Sequence, residues 1–294
     1  MLVHLFHMKF WYGALTLVIL VAVLASAGCT GTTPATNNST AVKTNATTVV
    51  ANVTSTTDVT NVTNTTGTGN VTYIVGVDAD NKPYTFSDNG TIVGFDVDSI
   101  QWIAQQQGFN VKIQPMAWDG IIPALLQKKI DMVYSGMTKT PERAAQVNFS
   151  KTYLIVNQSV VGRNDSTLTM DDFKKGKVIV GTQRSSSANS WIDDNLVKNN
   201  TLSSDNLKLY DSVSLALADL ANKRVDVVMF DQPVMNTLIK DMPLKQIGTV
   251  DTHEEYGVAI RKEDTELQNK INTGLDQLMN SPKWQELLKK YNMD

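Results

Sequence analysis

Cysteine is almost absent from this chain of 294 residues: Cys29 stands alone. A single cysteine rules out a disulfide within the chain and a cysteine-based metal site. Histidine is nearly as scarce. His4 and His7 precede an apolar run, and His253 is isolated far downstream, so no histidine cluster is on offer. No cofactor is implied. A strong charge of one sign is also missing. The formal net charge is −3 and no Lys/Arg run stands out, whereas a nucleic-acid partner calls for a clustered basic surface. There is no Gly-x4-Gly-Lys-Ser/Thr motif, which excludes a P-loop ATPase. What is present suits a globular core: 42% of residues are hydrophobic and 19% charged, over a length that allows one or two domains.

The N-terminus has His4, His7 and Lys9, then an apolar run from Trp11 to Ala27. That is the layout of a signal peptide over 1–28. The run ends Ser26-Ala27-Gly28-Cys29. Small residues before a cysteine resemble a lipobox, which makes Cys29 the lipidated residue. Ser26 departs from the Leu usual there, and an uncleaved membrane helix is the alternative. From Thr30 to Asn70 the chain holds 16 Thr and 7 Asn, and only Lys43 and Asp58 are charged. Without Leu, Ile or aromatic residues, it cannot bury enough apolar surface to offset its ordering entropy. Residues 29–70 therefore read as a tether. All seven asparagines begin an Asn-x-Ser/Thr sequon, the acceptor for glycans in exported chains, although Asn/Thr-rich text also generates sequons by chance.

From Val71 onward strands and helices alternate. Tyr73–Val77, Val111–Met116 and Met132–Tyr134 read as strands. Asp96–Gln107 reads as a helix on Val97, Ile100, Ile103 and Ala104, stopped by Gly108. Gly120–Gln127 reads as a helix with Ile121, Ile122, Leu125 and Leu126 inward. Thr140-Pro141 reads as an N-cap followed by a first-turn proline. A second block repeats the rhythm: strands Val178–Gly181, Leu207–Tyr210 and Val225–Phe230, with helices Ser187–Val197, Ser212–Ala221 and Pro233–Lys240. Tyr153–Val161 joins the blocks and Tyr256–Ile260 runs back. Helices Glu263–Asn280 and Pro282–Tyr291 close the chain. Such alternation predicts an α/β architecture of two lobes with mainly parallel sheets.

Five ordered pieces carry a resemblance to a known family: Gly94-Phe95-Asp96-Val97-Asp98; Trp118-Asp119-Gly120 through Leu125; Ser135 through Arg143; Arg224-Val225-Asp226-Val227-Val228 with Asp231; and Tyr256-Gly257-Val258-Ala259-Ile260. Together they resemble the polar amino-acid-binding proteins of ABC importers (solute-binding protein family 3), over essentially all of Val71 to the C-terminus. The resemblance implies the type 2 periplasmic-binding-protein fold, with two lobes, two crossover hinge strands and the ligand between. Lobe 1 would be 71–157 plus 255–294 and lobe 2 would be 158–254. It also implies a monomer outside the cytoplasm that captures an amino acid and hands it to a membrane permease, with no catalytic residue. A ligand-sensing receptor domain, or a cyclohexadienyl-dehydratase-like enzyme on the same fold, is the alternative.

A free amino acid carries two charges that cannot be buried unpaired. Arg143 offers a guanidinium fork for the carboxylate, and a cation in a first helical turn is not there for the helix dipole. Asp231 follows an apolar strand, where open α/β sheets bind ligands, and resembles the family's ammonium acceptor; it could equally cap the next helix. The resemblance implies that Ser135, Gly136 and Thr138 surround the charged groups. On the second lobe, Thr182, Ser185 and Ser186 would form a loop whose amides face the carboxylate. Trp118 would cover the ligand stem and Asp78 would contact its side chain. Asn81 stands where the family usually has an aromatic residue, and Arg184 where Gly or Thr is common; both bear on which ligand fits.

Overall fold

The structure is a computed structural model in which residues 70–293 are described. The segment that reads as a signal peptide, Cys29 and the linker sequons up to Asn64 lie outside the described residues. The described residues belong to one compact unit.

The chain enters through β1 (Thr72–Val77), then a small meander of β2 (Asp80–Asn81), β3 (Thr85–Asp88) and β4 (Thr91–Val93). Next come α1 (Phe95–Gln107), β5 (Asn110–Pro115), a 3-10 turn over Trp118–Gly120, α2 (Ile121–Leu126), β6 (Met132–Val133), α3 (Pro141–Gln146) and β7 (Asn148–Phe149). A long strand, β8 (Leu154–Arg163), leads into α4 (Met170–Lys174), β9 (Val180–Gln183), α5 (Ser187–Ile192), β10 (Leu207–Tyr210), α6 (Val213–Ala221), β11 (Val227–Asp231) and α7 (Gln232–Leu238). A second long strand, β12 (Leu244–Tyr256), returns to β13 (Ala259–Ile260), α8 (Thr265–Met279) and α9 (Pro282–Lys290).

Two five-stranded sheets result, ordered β5-β1-β6-β13-β7 and β10-β9-β11-β8-β12. In each, the first two pairings are parallel and the last two antiparallel. The sheets are thus mixed, not mainly parallel. The antiparallel pairings arise where the chain crosses between sheets: β8 carries it out, β12 carries it back, and the two pair with each other. The return strand is also longer and earlier than Tyr256–Ile260. The fold is a two-lobed α/β architecture joined by these two strands.

Local chemistry explains the elements. Val97, Ile100, Ile103 and Ala104 are buried on one stripe of α1. Its C-cap Gly108 takes φ 67°, left-handed backbone that glycine adopts without strain, and its N–H closes on Ala104 O. α2 is shorter than its apolar text suggests. It ends at Leu126, which is 44% exposed, while Ile121 and Leu125 are buried. Six residues make fewer than two turns, too few for four inward positions.

Candidate functional site

The carboxyl ends of the central strands converge on one cleft, where open α/β sheets place ligands. Asp78 follows β1, residues 135–138 follow β6, Gln183 ends β9 and Asp231 ends β11. A cavity of about 10 Å³ lies there, lined from the first sheet's side by Asp78, Asn81, Trp118, Gly136, Thr138 and Arg143. Gln183, Ser186, Ser187, Phe230 and Asp231 line it from the second. That volume suits roughly one water molecule.

Arg143 is the buried cation of the cleft. Thr140 caps α3 by accepting from the Arg143 N–H at 3.3 Å, and Pro141 opens the helix. The side chain therefore leaves the first turn toward the cavity. Its Nη1 donates to Thr138 O at 2.9 Å and its Nη2 to Ser185 O at 2.8 Å. The guanidinium lies 5.3 Å from the Trp118 ring centroid, and Trp118 Nε1 also donates to Ser185 O, at 3.1 Å. This carbonyl is presented by left-handed backbone, φ 59° at Ser185. Burial lowers the Arg143 pKa, and the carboxylates of Asp231 and Glu254 work against that.

Asp231 is the buried anion. Its Oδ1 accepts from Gln158 Nε2 at 2.6 Å, and its Oδ2 accepts from the Tyr256 hydroxyl. Asp231 and Gln158 are cross-strand partners on β11 and β8. Burial, then repulsion from Glu254, pushes the Asp231 carboxyl up to about 7. Although it sits at the N-cap of α7, its side chain makes no cap bond. Thr138 donates to Glu254 Oε2 at 2.7 Å and lies 3.3 Å from Ser187 Oγ.

The far end of the cavity is polar. Asp78 Oδ2 accepts from Gln183 Nε2 at 2.8 Å across the cleft, and its Oδ1 accepts from the Asp80 N–H at 3.0 Å. Burial raises the Asp78 pKa. Asn81 donates through Nδ2 to Ser135 O at 2.9 Å, and its buried Oδ1 has no partner. Ser135 is fully buried beneath the cleft; its hydroxyl meets the Asp78 N–H at 3.0 Å and Thr85 Oγ1 at 2.6 Å. Gly136 takes φ 58°, and a Cβ there would fall 2.9 Å from Asn81 Nδ2 and 3.0 Å from the Tyr84 ring. Its N–H donates to Asp96 Oδ2 at 2.6 Å, which also accepts from the Tyr153 hydroxyl at 2.9 Å. Burial pushes Asp96 up to about 7.

Seven of the residues singled out in the sequence line the cavity together with Ser186: Asp78, Asn81, Trp118, Gly136, Thr138, Arg143 and Asp231. Ser135 and Thr182 do not; Thr182 is buried and spends its hydroxyl on Met229 O at 2.8 Å. Ser185 lines an adjoining groove with Trp118 and Arg143. Arg184 points away from the cavity, to Asp211 at 2.6 Å and Asp119 at 4.0 Å. Ser187, the last of the Ser185–Ser187 run, also lines the cavity; sequence reasoning missed Gln183 and Phe230 in the lining, and Gln158, Glu254, Tyr256 and Asp96 behind it. Gln183 was within reach, being the residue that ends a strand beside the Ser185–Ser187 run. Glu254 lies in a polar stretch, Asp251 to Glu255, that carries no local signal. Among the described residues, no group of three or more His, Cys, Asp or Glu is arranged to hold a metal, and no helix is long and apolar enough to cross a membrane.

Residues 73–294 match the family described as bacterial extracellular solute-binding proteins, family 3. The chain belongs to that family. It is 31% identical over 221 residues to the arginine-binding extracellular protein ArtP of Bacillus subtilis (strain 168), covering 74% of this chain and 85% of that protein. The solved structure of an ancestral arginine-binding protein bound to arginine superposes with a TM-score of 0.69 at 35% identity, over 75% of this chain and 97% of that one. An ancestral amino acid-binding protein, AncCDT-1, described as a precursor of cyclohexadienyl dehydratase, superposes at 0.65 with 33% identity, over 75% of this chain and 94% of that one.

Proposed function

We propose that this chain is an extracytoplasmic receptor for a free amino acid, which it passes to the permease of an ABC importer. The observation that carries this reading is the opposed pair in one cavity: a buried guanidinium, Arg143, from the first turn of α3, and a buried carboxylate, Asp231, from the end of β11. A zwitterion needs both, since either of its charges left unpaired in the cleft would be strongly unfavourable. Its carboxylate would displace the Ser185 carbonyl from Arg143 Nη2 and take the bidentate fork. Its ammonium would meet Asp231, and Thr138 beside it.

The side chain then extends toward Asp78 and Asn81. A carboxylate and an unpartnered amide oxygen are both acceptors, so a side chain rich in N–H groups fits best: arginine, lysine, histidine or glutamine. The relatives named for arginine and histidine fall in this class. We place the lobes at 71–157 plus 255–294 and 158–254, hinged on β8 and β12. Trp118, Gly136 and Ser186 shape the walls of the cleft, Ser135 and Thr182 support it from beneath, and the Ser185 carbonyl holds Trp118 and Arg143 in place. Binding closes one lobe on the other. We read Cys29 as the lipid attachment point, residues 1–28 as the export signal and 29–70 as a glycosylated stalk. The chain acts as a monomer and performs no chemistry on its ligand.

A thermal-shift screen against the twenty amino acids tests the reading. Stabilisation confined to one or a few polar members is the expected result, and a flat screen would refute the solute class.

A further inference from the structure

Glu254 does not line the cavity, yet it is bonded to groups that form the cavity's ammonium end. It is half-buried near the end of β12, just past the break in register between Val250 and Glu254. His253 before it takes φ 49°. Its Oε2 accepts from Thr138 Oγ1 at 2.7 Å, and its Oε1 accepts from Gln158 Nε2 at 2.9 Å. The same Gln158 nitrogen donates to Asp231 Oδ1 at 2.6 Å. The loop carrying Thr138 is knitted to this strand: Thr138 bridges to Tyr256, and the Lys139 N–H donates to Glu255 O at 2.8 Å.

Counting hydrogens fixes the direction of these bonds. An ionised carboxylate only accepts, and a hydroxyl has one hydrogen to give. Thr138 therefore commits its hydrogen to Glu254, the charge-assisted and shorter of its two contacts. Its lone pairs remain for the cavity that Thr138 lines. An amide NH2 has two hydrogens, and those of Gln158 are shared between Asp231 and Glu254, with Ser187 Oγ a longer third contact at 3.3 Å. Gln158 is thus a spacer holding two carboxylates on one nitrogen.

We propose that Glu254 is a positioning residue for ligand capture: from hinge strand β12 it turns the Thr138 hydroxyl into an acceptor for the α-ammonium and sets a second negative charge behind Asp231. This rests on the amino-acid reading of the cleft. It adds a residue that touches no ligand and ties the ammonium site to the hinge.

The charged and titratable groups around this pair are Arg143 and Glu142 on α3, Lys139 before it, Tyr84, Asp194, and His253, Glu255 and Tyr256 on β12. Lys139 is occupied by Glu255 at 3.6 Å. Asp231 must be ionised to hold an ammonium, and a negative neighbour opposes that ionisation. Removing the charge of Glu254 therefore lets Asp231 ionise at lower pH.

The test is calorimetric titration of the full chain and its Glu254→Gln, Glu254→Asp and Thr138→Val variants with L-arginine, L-lysine, L-histidine and L-glutamine, between pH 5 and 9. For the tightest of the four, Glu254→Gln should weaken binding at pH 8 by at least about tenfold. It should also move the pH midpoint of affinity downward. Glu254→Asp should recover part of the affinity. If Glu254→Gln does not fold, Thr138→Val reads the same hydroxyl and should lose about tenfold, and unchanged affinity there overturns the proposal. Wild-type binding with a Glu254→Gln variant equal in affinity and pH midpoint overturns it while leaving the amino-acid reading intact. A loss of affinity with an unmoved midpoint and no rescue by Asp reduces Glu254 to a structural residue. Wild-type protein that binds none of the four defeats this proposal but not an amino-acid reading with another ligand, which the full twenty-member screen decides.

Discussion

At the scale of single residues, the account turns on groups whose charge is costly to bury and is therefore partnered. Asp96 and Asp231 are both pushed up to about 7 by burial. Their unfolded values lie near 3.8, the ordinary value of an aspartate. Folded carboxyls with raised pKa values hold protons that the unfolded chain has released. Their contribution to stability is thus fully present below about pH 4 and is lost as pH rises toward 7. Asp96→Asn keeps an acceptor for the Gly136 N–H and the Tyr153 hydroxyl but cannot ionise. Thermal midpoints measured from pH 4 to 8 should fall less steeply for this variant than for the wild type; parallel curves would contradict the assignment. Ligand binding runs the other way. An ammonium stabilises ionised Asp231, so binding releases a proton and affinity should weaken as pH drops below about 7. Calorimetry in buffers of different ionisation enthalpy reads that proton directly.

At the scale of elements, much was legible in the sequence because local chemistry decides it. The stripe on α1, its Gly108 stop and the Thr140-Pro141 start of α3 are written in residue type, and the cap is what aims Arg143. Thr140→Ala should cost about 1 kcal/mol of stability, read as a lower denaturation midpoint. Because the first turn of α3 carries Arg143, it should also weaken ligand binding; unchanged affinity would detach the cap from the site. Other elements left no such mark. β12 alternates half-buried and exposed residues without an apolar run, so its thirteen residues gave no strand signal. β2 and β7 have two residues each, too few for any period to show. Strand direction is not encoded in periodicity at all, which is why the antiparallel half of each sheet was unreadable. The site divides the same way. Arg143 and Asp231 stand beside a cap and an apolar strand that announce them. Gln158 and Glu254 matter only because β8 and β12 bring them against Asp231 and Thr138.

At the scale of the whole molecule, the two sheets meet through bonds that must break for anything larger than water to enter. Gln183 reaches Asp78, Ser185 O accepts from Trp118 and Arg143, and Ser214 Oγ donates to Asp80 Oδ1 at 2.9 Å. On the proposed reading, these contacts define the closed form, and rotation about β8 and β12 opens it. Solution scattering should show a smaller radius of gyration with saturating ligand than without; equal values would leave the cleft rigid. The central claim, that an amino acid is held in this cleft by Arg143, is tested most directly by one calorimetric comparison. The tightest amino acid of the twenty is titrated into wild-type protein and into a folded Arg143→Ala variant. The account predicts one site per wild-type chain and a loss of about 2–5 kcal/mol in the variant, enough to take binding out of range. Equal affinity in the two proteins would contradict it.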